Sequence, residues 1–140
     1  MNAQLRQAIN TAVTHIWGTE ARVTQSVPLT GDASSRSYAR LHVAGNGPAT
    51  TVVMMLAGSG LAVSSDELAI FAEPLKELPY LNVYRFLLSL GVRVPEVYYD
   101  GSKEGFLLLE DIGDVPLREA AHNRSAHDIE QLYRQEIGQL

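Results

Sequence analysis

Apolar residues near the start of the chain recur with the period of an α-helix. The positions that repeat at intervals of three and four residues are Leu5, Ala8, Ile9, Ala12, Val13 and Ile16. Because residues at this spacing share one face of a helix, the pattern predicts an amphipathic helix over residues 3–17. Gly18 follows directly and is expected to end it.

The pattern then changes to an alternation of apolar and polar positions. Residues 22–29 and 37–43 both alternate, which predicts two strands. The two faces of the second strand consist of Tyr38, Arg40 and His42 on one side and Ala39, Leu41 and Val43 on the other. A turn at residues 44–48 precedes the β-branched segment 50–56, which predicts a third strand. These segments together predict a three-stranded antiparallel meander.

Further elements follow in the second half of the chain. A capping-box spacing between Ser64 and Glu67 predicts a short helix that ends before Pro74. Apolar residues within 79–90 predict the main helix, and Gly91 is suited to its C-terminal cap.

Two more strands and two more helices complete the expected fold. Residues 96–99 and 106–110 flank a polar turn, as in a hairpin. Asp114 and Ser125 are each placed to cap a short helix. We therefore predict an α+β fold in which a five-stranded antiparallel sheet packs on the main helix, with N-terminal and C-terminal helices at its flanks.

Composition and charge narrow the class of protein. The chain has 140 residues, 46% of them hydrophobic, which suits one packed domain. It has no cysteine, so disulfides, cysteine-based zinc sites and thiol nucleophiles are excluded. Neither a secretory signal nor an unbroken apolar segment of membrane-spanning length is evident, and we expect a cytoplasmic protein with no membrane partner.

The net charge of −5 disfavours binding to nucleic acid, which requires a basic face. The charge is unevenly distributed: residues 1–62 carry net +2 and residues 63–140 carry net −7. An anionic ligand is therefore expected at the first half of the chain.

A candidate for such a ligand site lies between the first two strands. Residues 30–36 are small, hydroxyl-bearing or charged, and fit neither periodic element. Small residues let backbone N–H groups approach phosphate oxygens, the hydroxyls of Ser34 and Ser35 add donors, and Arg36 or Arg40 adds positive charge. An ordinary hairpin loop is the alternative interpretation of this segment.

Three ordered motifs resemble those of one enzyme family. They are Thr-Gly-Asp-Ala-Ser-Ser-Arg-Ser-Tyr-Ala-Arg at residues 30–40, Leu-Gly-Val-Arg-Val-Pro-Glu-Val at 90–97 and Gly-Phe-Leu-Leu-Leu-Glu-Asp-Ile-Gly-Asp at 105–114. They resemble the N-terminal lobe of aminoglycoside-phosphotransferase-like kinases, which have a protein-kinase-like fold, and in particular the N-acetylmuramate/N-acetylglucosamine anomeric kinase group.

The resemblance implies an ATP site at named positions. Phosphates would lie against the loop, and Val52 and Met54 fall where kinases usually have the alanine and lysine of the third strand. Met54 is neutral, so Arg36 or Arg40 would have to replace the lysine, or phosphate binding is weaker; the anomeric kinase group also has methionine there.

The resemblance also implies contacts to the base. The Glu110 carbonyl would accept a hydrogen bond from the adenine amine and the Ile112 N–H would donate one to a ring nitrogen, with Leu109, Val52 and Val27 as apolar walls. The expected nucleotide contacts are Gly31, Asp32, Ala33, Ser34, Ser35, Arg36, Arg40, Val52, Met54, Leu109, Glu110 and Ile112.

The catalytic half of a kinase is not recognisable in the chain. Phosphoryl transfer needs an Asp that orients the acceptor and Asp and Asn groups that hold Mg²⁺, and no His-x-Asp-x-x-x-x-Asn segment occurs. We expect residues 1–114 to form the nucleotide-binding lobe and 115–140 to begin a C-terminal lobe that would supply the Mg²⁺ ligands. The expected function is that of the N-terminal lobe of an ATP-dependent small-molecule phosphotransferase, with an amino sugar as acceptor in a longer parent and no catalysis by these 140 residues alone. The alternative is a stand-alone noncatalytic module that binds a nucleotide or a protein.

Overall fold

The computed structural model describes residues 1–30, 36–56, 78–115, 119, 122 and 124–137. Within these ranges the chain forms three α-helices, five strands and one turn of 3-10 helix. The elements in chain order are α1 (Ala3–Trp17), β1 (Arg22–Leu29), β2 (Ser37–Ala44), β3 (Thr50–Met55), α2 (Pro79–Ser89), β4 (Val97–Gly101), the 3-10 turn (Ser102–Glu104), β5 (Phe106–Glu110) and α3 (Ala126–Ile137). The predicted α+β class and five-stranded antiparallel sheet are confirmed.

The five strands form one sheet in the order β1-β2-β3-β5-β4. Every neighbouring pair is antiparallel. The register places Val27 opposite Arg40, Arg40 opposite Val52 and Val52 opposite Leu109. Side chains in one such row point to the same face of the sheet, because register partners in a β-ladder share a face.

Helix α1 packs on one face of this sheet. Its buried residues Ile9, Ala12 and Val13 form one hydrophobic cluster with residues of β2, β3 and β5. The sheet residues of the cluster are Ala39, Leu41, Val53, Phe106 and Leu108. The helix begins where the Asn2 side chain accepts a 2.8 Å hydrogen bond from the Leu5 N–H. The sequence predicts α1 at the flank of the sheet, whereas the structure shows it covering one face; its hydrophobic period marks the face to be buried but not its partner.

The predicted boundaries are close to the observed ones. The bounds of α1, β1 and β5 are those predicted, and α2 ends one residue early, at Ser89. Strand β4 begins at Val97 rather than at 96 and extends to Gly101, with a register shift between Val97 and Tyr99. Such an irregularity has no simple signature in an alternating sequence. The predicted loop at 31–35, the helix at 64–74 and most of the helix capped by Asp114 lie outside the described residues.

The chain divides into two compact units. The first comprises Met1–Pro79 and Pro95–Asp111 and contains the sheet and α1; the second comprises Tyr80–Val94 and Ile112–Leu140. In the second unit α3 begins at a cap in which the Ser125 hydroxyl accepts from the Asp128 N–H at 3.2 Å, as predicted. No helix in the described ranges is long and apolar enough to cross a membrane. The packing of α2 on the sheet stays a prediction.

Candidate functional site

The face of the sheet opposite α1, called the distal face here, carries four of the predicted contacts, namely Arg40, Val52, Met54 and Leu109. Residues alternate between the faces of a strand, so the neighbours of the buried cluster residues belong to the distal face. Its central row consists of Val27, Arg40, Val52 and Leu109, one residue from each of four adjacent strands. All four are among the positions to which the sequence assigns a role in nucleotide binding.

Three members of this row are apolar, and two of them, Val52 and Leu109, are direct neighbours near the end of β5. Val27 is 37% exposed, Val52 is half-buried and Leu109 is 6% exposed. Directly opposed residues on neighbouring strands have Cβ atoms about 5 Å apart, so Val52 and Leu109 are in lateral contact range. The structure thus places two of the predicted adenine walls, Val52 and Leu109, side by side, whereas Arg40 on β2 separates Val27 from Val52.

A second row on the distal face contains Met54. It lies opposite Tyr38 on β2 and Leu107 on β5. Met54 and Leu107 have no exposed surface. Met54 therefore packs as a core residue and exposes no surface to a ligand in this structure. Its assignment to the position of the strand lysine stays a prediction.

Arg40 is held by a carboxylate that the sequence analysis did not single out. Its Nε donates to Asp111 Oδ2 at 2.6 Å and its Nη2 donates to Asp111 Oδ1 at 2.9 Å. The side chains are 18% and 7% exposed, so the pair is largely withdrawn from water. Two parallel N–H···O bonds give the strong, directional form of an arginine–carboxylate pair. This pair connects β2 to the residue that follows β5.

Arg36 lies just before the start of the same strand. It immediately precedes β2 and is half-buried. It is four residue steps from Arg40 in the middle of the strand, which corresponds to about 13 Å along a strand. Arg36 is therefore the basic residue adjacent to the predicted phosphate loop, whereas Arg40 lies beside the end of β5. The predicted loop contacts Gly31, Asp32, Ala33, Ser34 and Ser35 lie outside the described residues.

The end of β5 is hydrogen-bonded to the segment that precedes β4. The Glu110 N–H donates to the Glu96 carbonyl at 2.8 Å, and the Glu110 carboxylate accepts from the Glu96 N–H at 3.1 Å. Burial raises the pKa of nearby Tyr98 above its ordinary value of 10.0, and the carboxylates of Glu110 and Glu96 raise it further. Ile112, the other predicted backbone contact, is 74% exposed.

Asp111 and Thr51 are two residues of this region that the sequence did not mark as functional. Only Asp111 could have been recognised from the sequence pattern. Asp111 stands two positions after Leu109, so the alternation of β5 continued by two residues places it on the distal face with Arg40. Thr51 is fully buried, and its hydroxyl donates to the Leu109 carbonyl at 2.6 Å. Nothing distinguishes Thr51 from the other β-branched residues of its strand, so this contact could not have been found from the sequence.

The described residues include no group of three or more His, Asp or Glu side chains that could hold a metal ion. Comparison of the chain with models of protein families, with curated proteins and with solved structures finds no match.

Proposed function

We propose that this chain is the nucleotide-binding lobe of an ATP-dependent small-molecule phosphotransferase whose acceptor is an amino sugar. ATP would supply the phosphoryl group, and this chain's residues would hold the adenine and part of the phosphates. The acceptor assignment rests on the resemblance of residues 30–40, 90–97 and 105–114 to the anomeric sugar kinases.

The observation that carries the proposal is the adjacent apolar pair Val52 and Leu109 near the end of β5, with Val27 on the far side of Arg40 in the same row. Adenine binding needs an apolar surface for the ring and one or two polar groups at its edge. The row supports the first requirement. The backbone groups of Glu110 and Ile112 are the proposed polar contacts, and backbone contacts of this kind are independent of the side chain.

Phosphate binding is proposed to rest on the 31–35 loop and on Arg36. Arg36 lies about 13 Å along the strand from Arg40, the level of Val52 and Leu109, which leaves room for a sugar between base and phosphates. Met54 contributes no charge there. We expect weak binding of ATP to this chain, with a dissociation constant in the high micromolar range or above, corresponding to about 5 kcal/mol.

Magnesium is not assigned to any described residue of this chain. We propose that the Mg²⁺ ligands belong to the C-terminal lobe, whereas the described residues of this chain accommodate the nucleotide. In a phosphotransferase the ion neutralises charge on the transferred phosphoryl group.

Titration calorimetry with ATP and with adenosine tests the proposal. We expect both to bind the unmodified chain. Val52→Phe should weaken both ligands because it fills the space beside the base, while Arg36→Ala should weaken ATP more than adenosine. Arg22→Ala is a matched control, because it removes an exposed arginine at the start of β1. Absence of binding by the unmodified chain at millimolar ligand would contradict the proposal.

A noncatalytic protein-interaction module is the second candidate, and a feature of the second unit favours it. Val83, Phe86 and Leu90 are 54%, 59% and 60% exposed. They recur at intervals of three and four residues on and just after α2, so they form an apolar stripe available to a partner. Substituting Val83 and Phe86 with Ser should abolish partner capture under this candidate and leave nucleotide binding unchanged under the first.

A further inference from the structure

The bidentate pair of Arg40 and Asp111 lies beside the backbone proposed to bind the base, and not beside the proposed phosphate site. Two guanidinium hydrogen bonds, at 2.6 and 2.9 Å, are made to the two oxygens of one carboxylate. That carboxylate belongs to the residue between Glu110 and Ile112. The charge of Arg40 is thus already matched at the adenine end of the distal face.

The position of Arg40 in the sheet allows the pair to restrain the backbone just after β5. Arg40 lies in the middle of β2, opposite Val27 on one side and Val52 on the other. Its backbone is therefore held by two neighbouring strands, whereas Asp111 lies just past the last residue of β5. A largely buried, two-bond contact from a rigid strand restricts the direction in which the chain leaves β5.

We propose that Arg40 and Asp111 are positioning residues for the purine base, which fix the backbone at 110–112 so that it recognises the 6-amino edge of adenine. This inference rests on the proposed function. It assigns the phosphate-binding role to Arg36 and takes it away from Arg40. It also commits to a selectivity: adenosine is preferred over inosine, whose 6-oxo group cannot donate to a carbonyl.

The two possible roles of Arg40, positioning the backbone and binding phosphate, predict different changes in the affinities for ATP and adenosine. If Arg40 positions the backbone, Arg40→Gln and Asp111→Asn each weaken the binding of ATP and of adenosine by the same factor, about tenfold. Each also lowers the preference for adenosine over inosine by about fivefold. If Arg40 binds phosphate, Arg40→Gln weakens ATP alone. A merely structural pair would lower the unfolding free energy while leaving the adenosine-to-inosine ratio unchanged.

The experiment measures dissociation constants of ATP, adenosine and inosine for the unmodified chain and four variants. The variants are Arg40→Gln, Asp111→Asn, Arg36→Gln and the charge exchange Arg40→Asp with Asp111→Arg. The exchange restores an ion pair, so we expect it to recover part of the adenosine preference. Arg36→Gln should weaken ATP and leave the nucleoside ratio unchanged.

Amide hydrogen exchange at residues 110–112 provides a readout that does not depend on ligand. We expect faster exchange in Arg40→Gln and Asp111→Asn than in the unmodified chain, at a pH and temperature where all remain folded. Unchanged exchange, an unchanged adenosine-to-inosine ratio, or loss confined to ATP overturns the inference. Failure of the proposed function itself is distinguishable, because the unmodified chain would then bind neither adenosine nor ATP.

Discussion

The Thr51 hydroxyl donates a 2.6 Å hydrogen bond to the carbonyl oxygen of Leu109, and Thr51 is completely buried. The bond joins β3 to β5 through a side chain, next to the apolar row of the candidate site. Thr51→Val keeps the shape but removes the donor, so we expect the free energy of unfolding to fall by about 1–2 kcal/mol. Thr51→Ser retains the hydroxyl and should recover the part of the loss that is due to the hydrogen bond. Urea denaturation measures both, and equal stability of Thr51→Val and the unmodified chain would contradict the role of the bond.

The turn between β2 and β3 depends on close contact between Gly47 and Trp17. Gly47 has φ +108°, and a Cβ built there would lie 2.7 Å from Trp17 Cγ. Gly47→Ala should therefore destabilise the chain by roughly 3 kcal/mol, from backbone strain and overpacking together. The fluorescence of Trp17, the single tryptophan, should change as well.

Gly91 provides the control for this substitution. It has φ +76°, but a Cβ there would meet no atom of the described residues within 4 Å. Gly91→Ala should cost about 1 kcal/mol, because only the left-handed backbone is strained. Equal thermal destabilisation by the two alanine variants would show that the contact with Trp17 does not matter.

The raised pKa of Tyr98 predicts a loss of stability at alkaline pH. The folded state keeps the phenol protonated above pH 10.0, where the unfolded chain has begun to lose the proton. The stabilisation is thus fully present below pH 10.0 and is lost as the pH rises through the folded-state pKa. Tyrosinate absorbance against pH, compared between the unmodified chain and Tyr98→Phe, isolates this group.

Glu96→Gln tests the cause of that shift. Removing one of the two carboxylates that raise the pKa of Tyr98 should bring it closer to its ordinary value. Burial is the largest contribution, so part of the elevation should remain in the variant. An unchanged titration of Tyr98 in Glu96→Gln would exclude the electrostatic contribution of Glu96.

Two adjacent residues of β1 allow the two faces of the sheet to be compared. Val27 belongs to the distal row, whereas Ser26 pairs with Leu41, a member of the cluster with α1. Val27→Glu should weaken adenosine and ATP by about tenfold or more, because an apolar contact worth roughly 1.5–3 kcal/mol is replaced by a charge. Ser26→Glu makes the same change in net charge with little effect on binding. Both positions are exposed, so neither variant should unfold the chain.

Much of the fold could be predicted because local patterns and tertiary structure agree. The alternation in β2 places Ala39 and Leu41 in the buried cluster and Arg40 on the other face, as expected from a period of two. The helix period over residues 3–17 likewise identifies the buried Ile9, Ala12 and Val13.

The contacts that could not be predicted depend on register between distant segments. The pairing of Arg40 with Asp111 spans 71 positions in the sequence. It depends on the strand order, in which only β3 separates β2 from β5. The sequence predicts Arg36 or Arg40 as the source of positive charge for a phosphate because a loop rich in small residues precedes them. The structure shows that the Arg40 guanidinium, in the middle of β2, binds Asp111 just after β5.

NMR chemical-shift mapping with adenosine and then with ATP shows whether the base binds at the apolar row and the end of β5. We expect adenosine to shift the backbone signals of Val27, Val52 and Leu109 and of residues 110–112. With ATP, further shifts should occur at residues 31–36. Shifts confined to α1 and the cluster around Ile9, or no shifts at millimolar ligand, would contradict binding at this site.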